Sequence, residues 1–398
     1  MIATPGGLRS GWVRVRDQLI EAVGEGRPPA GEPTVVVPEG VIAPGFVDIH
    51  VHGAVGHDVN GPDPEAVAVQ VRAVAAHHAA HGTTSILPTT VSAPVEQLER
   101  AARGVALAAT LRRAGEATIL GINLEGPWLA PSRRGAHDPR WVAPPDPDGL
   151  ARVIAAAGNV RLVTVAPEQV GALALIRAAR AAGVVASVGH TAASFEETVA
   201  AFDAGARHVT HLGNAMPGVD RRQPGPVTAA LLDGRATVEV IADGHHLHPG
   251  FVRLAATSVG RRLVAVTDAV AACGMVPGRY RLGGLDVTLE GDTAALSDQP
   301  ATLAGSVLTM DRAVGNLVRF GLPPADAIAA ATSTPAGVIG ATTKGRLEPG
   351  TDADLVVLDR SWTAVATVAK GIVAHDPLGR LATIALVRAG SDGDPIRG

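Results

Sequence analysis

The run FVDIHVHG, residues 46–53, places two histidines one residue apart at the end of an apolar segment. Side chains alternate faces along a strand, so His50 and His52 project to the same side. Two neutral imidazoles held together form half of a metal site, offering two nitrogen donors to one divalent ion. Alone, the pair is equally well explained as two hydrogen-bonded histidines at a strand end. Other ionisable residues occupy comparable positions. ATILGINLEGP carries Glu125, VVASVGHT carries His190, HVTHLGNAMPG carries His211, ATVEVIADGHH leads to Asp243, His245 and His246, and RLVAVTDA carries Asp268. Glu125 could be a turn residue and Asp268 a cap, but the joint pattern is harder to dismiss. Four histidines, one glutamate and one aspartate close five different apolar runs. Such a nitrogen and oxygen donor set, with no usable thiolate, suits zinc, manganese, iron or cobalt.

These residues need elements to converge them. From residue 46 to about 335, eight short runs rich in Val, Ile, Leu and Thr alternate with Ala-rich stretches of helical length. The runs are FVDIH, TTSILPT, ATILGINLE, VRLVTVAPE, VVASVGH, HVTHL, ATVEVIAD and RLVAVTDA. Helical stretches such as PEAVAVQVRAVAAHHAA and VGALALIRAARAAG separate them, with glycine just past the end of the latter. Eight strand–helix units predict an α/β fold, a (β/α)8 TIM-type barrel, whose chemistry belongs at the C-terminal ends of the strands. The predicted barrel spans residues 44–345. Short strand-like segments flank it on both sides (GWVRVRDQLIEAVGEG and PTVVVPEGVIAPG before, GRLEPGTDADLVVLD after). Residues 1–43 and 346–398 are therefore expected to share one small β-domain, with a frayed polar tail. His208 reads as a structural histidine, and His77, His78 and His81 as a solvated helix face.

Composition narrows the function classes. The chain has 398 residues, 46% hydrophobic and 18% charged, with a net charge of -4. It shows no apolar run of spanning length and no signal-peptide core. The charge balance and the scarcity of aromatic residues (3%) give no reason to expect nucleic acid or an anionic membrane as partner. The single Cys273 excludes an internal disulfide and predicts a reducing, cytoplasmic home.

PGFVDIHVHG, NLEGPWLAPSRRGAHDP, VGHT, HLGNAMPG, ADGHHLHP, VTDAVAACGM and LAGSVLTMDRAV follow one another over roughly residues 40–372. Together they resemble the N-acetylglucosamine-6-phosphate deacetylase family of the metal-dependent amidohydrolase superfamily. LEGP, HLGNAMPG and LAGS carry most of the specificity. The resemblance implies deacetylation of N-acetyl-D-glucosamine 6-phosphate to D-glucosamine 6-phosphate and acetate. It implies Glu125, His190 and His211 as principal metal ligands, and His50 and His52 as ligands of a second ion bridged by Glu125. It implies Asp268 as general acid/base and His137 as a substrate contact near the amide. Asn214 and Ala215 match the segment whose backbone meets the sugar phosphate, and Arg222 and His246 match phosphate ligands. The family's arginine reaches in from a neighbouring subunit, so a homodimer is implied. The expected cofactor is Zn²⁺, with Fe²⁺, Mn²⁺ and Co²⁺ as alternatives, at one or two ions per chain.

The chain also departs from the family. The loop after His52, GAVGHDVN, replaces a longer glycine run, and its His57 has no assignable role. The last two dozen residues match no known pattern. Many related amidohydrolases bridge two metals through a carbamylated lysine, but no lysine precedes Lys344 here. The bridge must be a carboxylate, with Glu125 the candidate. Three alternatives stay open: the N-acetylgalactosamine 6-phosphate substrate, another amidohydrolase on the same barrel, and a sugar-phosphate binder without catalysis. The Arg222 and His246 pair argues against the second, and the complete ligand set against the third.

Overall fold

The computed structural model describes residues 1–31, 34–37, 40–379 and 381. The predicted frayed tail, residues 382–398, lies outside the described residues. Each of the eight apolar runs contributes a parallel strand: β1 (Phe46–Val51), β2 (Thr83–Thr90), β3 (Thr118–Ile119 continued by Ile122–Glu125), β4 (Val160–Val165), β5 (Val185–Val188), β6 (His208–Val209), β7 (Thr237–Ile241) and β8 (Leu263–Val266). Each pairs with the next in chain order. β3 is interrupted at Gly121, whose φ of 142° and approach to the Asn159 carbonyl leave no room for a side chain.

Closure of the ring is specific. The Asp268 amide donates to the His50 carbonyl (2.9 Å), and the His52 amide to the Ala269 carbonyl (2.8 Å). Asp48, fully buried on β1, accepts from the Thr267 hydroxyl (2.5 Å) and amide (3.3 Å). Burial pushes the Asp48 carboxyl up to about 7, against the lowering effect of these bonds. This polar pin across the seam brings the two ends of the barrel sequence side by side.

Helices α1 (Pro64–Ala80), α2 (Val95–Thr110), α3 (Pro147–Ala157), α4 (Ala172–Ala181), α5 (Phe195–Ala204), α6 (Gly225–Leu232), α7 (Pro249–Val259) and α8 (Met310–Arg319) alternate with the strands. Their starts are chemically marked. The Asp63 side chain caps α1 ahead of Pro64, and Ser194 and Glu197 form a reciprocal capping box on α5. α2 buries Leu98, Ala101, Ala102, Val105 and Ala108, one face at helical spacing. Among the described residues, no helix is long and apolar enough to cross a membrane.

Strands from both chain ends share one six-stranded sheet, in the order Gly7–Arg9, Ile2–Thr4, Val41–Pro44, Leu355–Leu358, Ala364–Ala369, Ile372–His375. GWVRVRDQLIEAVGEG folds as an antiparallel hairpin, Gly11–Arg16 with Leu19–Glu25. A three-stranded antiparallel sheet, absent from the sequence reading, lies between β8 and α8: Gly278–Leu282, Leu285–Glu290 and Thr293–Leu296. Its inner residues Val287, Leu289, Ala294 and Leu296 pack with Val91 and Val270 at the barrel mouth.

One expectation is corrected. His77, His78 and His81 are not a solvated face. His78 is fully buried, and His77 is half-buried where the segment after β8 folds back over the end of α1, its Nε2 3.6 Å from Sγ of the buried Cys273. Burial, reinforced by the neighbouring histidines, pushes His78 down to about 3 and His77 to about 4. Between those values and the unperturbed value of about 6.5, the unfolded chain binds more protons than the folded one. Stability is therefore complete above pH 6.5 and falls as pH drops toward 4. Replacing His78 by leucine should reduce the slope of unfolding free energy against pH by about one proton in this window. Urea titrations at pH 5 and 7 measure it; an unchanged slope would show that His78 is not held neutral.

Candidate metal centre and active site

Glu125 ends β3 with its carboxylate buried at the barrel mouth. Its Oε1 faces the Nε2 atoms of His211 (2.8 Å), His190 (3.1 Å) and His50 (3.6 Å). Its Oε2 faces Nε2 of His52 (3.1 Å) and His137 (3.2 Å). Asp268 Oδ1 lies 3.2 Å from His52 Nε2 and 3.4 Å from His50 Nε2. The geometry thus brings His50, His52, Glu125, His190, His211 and Asp268 together, and places His137 against the same carboxylate.

The outward ring nitrogens determine what the inward ones offer. His52 Nδ1 meets the Thr89 carbonyl (3.1 Å), His190 Nδ1 the Arg133 carbonyl (2.8 Å) and His50 Nδ1 the Glu239 carboxylate (3.1 Å). Carbonyls and carboxylates only accept, so each Nδ1 carries the donated hydrogen, and each neutral ring turns a lone pair inward at Nε2. Lone pairs then face carboxylate oxygens and one another, with His50 and His52 Nε2 atoms 3.3 Å apart and His190 and His211 Nε2 atoms 3.1 Å apart. Only a positive charge relieves that arrangement. Burial disfavours the charged rings, yet Glu125, Glu239 and Asp268 outweigh it at His50, raising its pKa well above the usual value. At His52, Asp268 and Glu125 likewise override burial and push it up to about 9. The donor set therefore fits a divalent cation. Two compact groups, His50–His52–Glu125 and Glu125–His137–His190, share Glu125. In the second, the Ser92 amide donates to His137 Nδ1, so His137 turns an N–H inward, and His211 Nε2, 2.8 Å from Oε1 and 3.1 Å from His190 Nε2, offers the lone pair instead.

Backbone strain marks the same residues. His190 (φ 47°), His211 (φ 26°) and Asp268 (φ 51°) adopt left-handed conformations without being glycine, as does Ala215 (φ 50°). Such conformers cost about 1–3 kcal/mol each and persist where surrounding structure enforces them. Here the Thr191 amide donates to the Ala215 carbonyl (3.1 Å), fastening the loop after β6 to the turn after β5. The RGAHDP segment crosses above through Gly135, where a Cβ would sit 3.2 Å from the His190 ring.

The remaining candidates surround this centre less tightly. Asn214 is half-buried and donates from Nδ2 to the His211 carbonyl (3.2 Å). His246 holds Asp243 Oδ2 at 2.6 Å through Nδ1, leaving Nε2 uncommitted within that pair. His245 points elsewhere, to Asp292 of the inserted sheet (3.0 Å). Arg222 lies exposed in the loop before α6 and is not brought to Glu125 within one chain. His57 is half-buried in a short strand pair beside His52.

Sequence reasoning missed Glu239. It is fully buried in β7 and joins three partners: His50 Nδ1 (3.1 Å), the His211 amide (3.0 Å) and His208 Nε2 (2.8 Å). His208, structural as expected, hands the chain on to the Thr237 hydroxyl (2.6 Å). Burial opposes the Glu239 charge, but His50 and His208 hold its carboxyl far below the usual range. A lone glutamate in the apolar run TVEVI was the available signal.

A ring of eight parallel strands with histidines, a glutamate and an aspartate at its carboxyl ends is the architecture of a metal-dependent barrel hydrolase. Residues 41–385 match the Amidohydrolase family, and the chain belongs to that family. It is 40% identical to the N-acetylgalactosamine-6-phosphate deacetylase of Escherichia coli O157:H7, over 80% of this chain and 84% of that protein. It is 35% identical to the N-acetylglucosamine-6-phosphate deacetylase of Bacillus subtilis (strain 168), over 92% and 93%. Among solved structures, it is similar to a substituted N-acetyl-D-glucosamine-6-phosphate deacetylase of Mycobacterium smegmatis in complex with N-acetyl-D-glucosamine-6-phosphate. That pair has a TM-score of 0.88 at 40% identity, covering 94% of this chain and 97% of the other.

Glu239 should matter through the ring it orients. Outer partners of metal-binding histidines are worth about 10–100-fold in metal affinity. Glu239→Gln should weaken zinc binding within that range, measured by chelator competition on metal-depleted protein. Unchanged affinity would reduce Glu239 to a packing role.

Proposed function

We propose that this chain hydrolyses the acetamide of N-acetylglucosamine 6-phosphate, releasing D-glucosamine 6-phosphate and acetate. The observation that carries the proposal is the Asp268 carboxylate, held 3.2–3.4 Å from a buried imidazole–carboxylate cluster able to hold a metal ion. The relatives named above support the substrate class. The similarity to the E. coli O157:H7 protein favours a second reading, the N-acetylgalactosamine epimer. Acetate release from both 6-phosphates, after metal removal and re-addition, separates them.

In this reading Glu125, His190 and His211 would hold one divalent ion, and His50 and His52 a second shared through Glu125. Zn²⁺ is the first choice for this donor set, with Fe²⁺, Mn²⁺ or Co²⁺ as alternatives. A bound ion would acidify water toward neutral pH and polarise the amide carbonyl. Asp268 takes the proton from the attacking water and returns it to the departing amine. Burial raises the Asp268 pKa, but His50 and His52 outweigh it and hold the carboxyl below its usual range, so it starts as a base. The Ser92 amide donates to His137 Nδ1 (3.0 Å), which leaves the hydrogen on Nε2 facing the site. Burial, only partly offset by Glu125, pushes His137 down to about 4, so a neutral ring donates to the developing oxyanion.

In this reading Asn214, Ala215 and His246 would hold the sugar phosphate beyond the amide. Arg222, exposed in a single chain, completes that grip from a partner subunit of a homodimer. A cytoplasmic location fits the buried, unpaired Cys273.

Asp268→Asn should bind metal as the parent does and lose roughly 10²-fold or more in turnover. Normal turnover in a metal-replete preparation would remove Asp268 from proton transfer. Arg222→Ala should lower kcat/KM for the phosphorylated sugar by roughly 10–100-fold, since a hydrogen bond to a charged group contributes about 1.5–3 kcal/mol. Activity on unphosphorylated N-acetylglucosamine should stay nearly constant. An equal loss on both sugars would mean that Arg222 does not read phosphate.

A further inference from the structure

The end of the barrel opposite Glu125 carries a second concentration of chemistry. Where β5, β6 and β7 begin, an open cavity of about 470 Å³ is lined by Arg207, Arg235, Arg261, Arg346, Thr237 and Thr334, among others. Four arginines, all exposed, line it, and among the described residues no carboxylate does. Arg235 is neutralised from outside by Asp233 (2.6 Å) and Asp203 (2.7 Å). Arg207, Arg261 and Arg346 make no ion pair among the described residues. In a chain with 38 acidic against 34 basic residues, this is not for want of carboxylates.

Part of the cavity is held in place. Arg207 donates from one guanidinium nitrogen to the carbonyls of Phe202 (2.8 Å) and Ala206 (2.6 Å). Its own carbonyl accepts from the Thr237 hydroxyl (3.2 Å), so both ends of the residue are tied to the wall. The arginines without an ion pair leave a local excess of positive charge that a bound polyanion would complement. Arginine forks suit phosphate oxygens in particular, through paired N–H donors.

We infer that this cavity binds a phosphorylated small molecule, at a site separate from the catalytic one. A local depression rather than an extended basic stripe, and the scarcity of aromatic residues, favour a small ligand over a nucleic acid. The phosphate could arrive on an unrelated metabolite or on a second molecule of the amino sugar phosphate, and the experiment distinguishes these.

Isothermal titration of the metal-replete protein with glucosamine 6-phosphate counts sugar phosphate sites. Titration of the saturated protein with fructose 1,6-bisphosphate then counts what remains. The comparison is Arg261→Ala/Arg346→Ala, which should keep parental deacetylation turnover because neither residue belongs to the catalytic machinery. The single charge reversal Arg346→Glu serves if the double variant folds poorly. One bisphosphate equivalent on the saturated parent, weakened roughly 100-fold in the double variant, supports a site for other phosphorylated ligands. Two glucosamine 6-phosphate equivalents on the parent, falling to one in the variant, support the site with the sugar phosphate itself as ligand. Identical stoichiometry and affinity in parent and variant overturn the proposal, as does a parent that binds neither ligand beyond its catalytic site.

Discussion

The structure turns on one carboxylate. Glu125 is buried and can only accept, and five imidazole nitrogens stand 2.8–3.6 Å from its two oxygens. A buried charge of this kind is tolerated only when paired and hydrogen-bonded. The partners come from distant parts of the chain, and only a closed ring can present them together. His50 lies on the first strand and Asp268 just past the end of the last, and they meet because the ring closes. The Asp48–Thr267 pin, which takes no part in the site, is therefore a condition for it.

The imidazoles' outward nitrogens complete the constraint. The Thr89 and Arg133 carbonyls and the Glu239 carboxylate decide which nitrogen of each ring carries hydrogen. They aim the Nε2 atoms at a common centre, where a proton or a cation can be held. The site is thus a preorganised demand for positive charge. Glu239 extends that order inward, because it also holds the backbone of His211 and the ring of His208.

Much of this was legible in sequence, for definite reasons. Period-two spacing put His50 and His52 on one face, and strand ends carried Glu125, His190, His211 and Asp268. These features depend only on local geometry and on where a barrel keeps its mouth. Asp48 and Glu239 were not legible because their partners stand on neighbouring or more distant strands. Which interior residues meet across the ring depends on its stagger, which local spacing does not encode. The left-handed turns at His190, His211 and Asp268 were hidden for a related reason, since no glycine announces them. His77 and His78 were misread because helix spacing does not show what packs on the helix from elsewhere; the segment that covers His77 lies nearly two hundred residues later.

The lysines bear on the choice of bridging group. Lys344 is buried, and its ammonium contacts Asp354 (2.6 Å), Asp352 (2.8 Å) and the Thr118 hydroxyl (3.4 Å). Asp354 in turn accepts from the Lys370 amide (2.7 Å). This lysine is committed to joining the start of β3 to the terminal sheet, far along the strand from the mouth. Lys370 is the only other lysine, and it lies just before the last strand of that sheet. Neither lysine is thus placed at the mouth to form a carbamate bridge, which would require carbon dioxide as well as metal. A carboxylate bridge requires no added group. Readiness of the proposed centre then depends on protons and metal alone, and both act on the same inward-facing imidazoles.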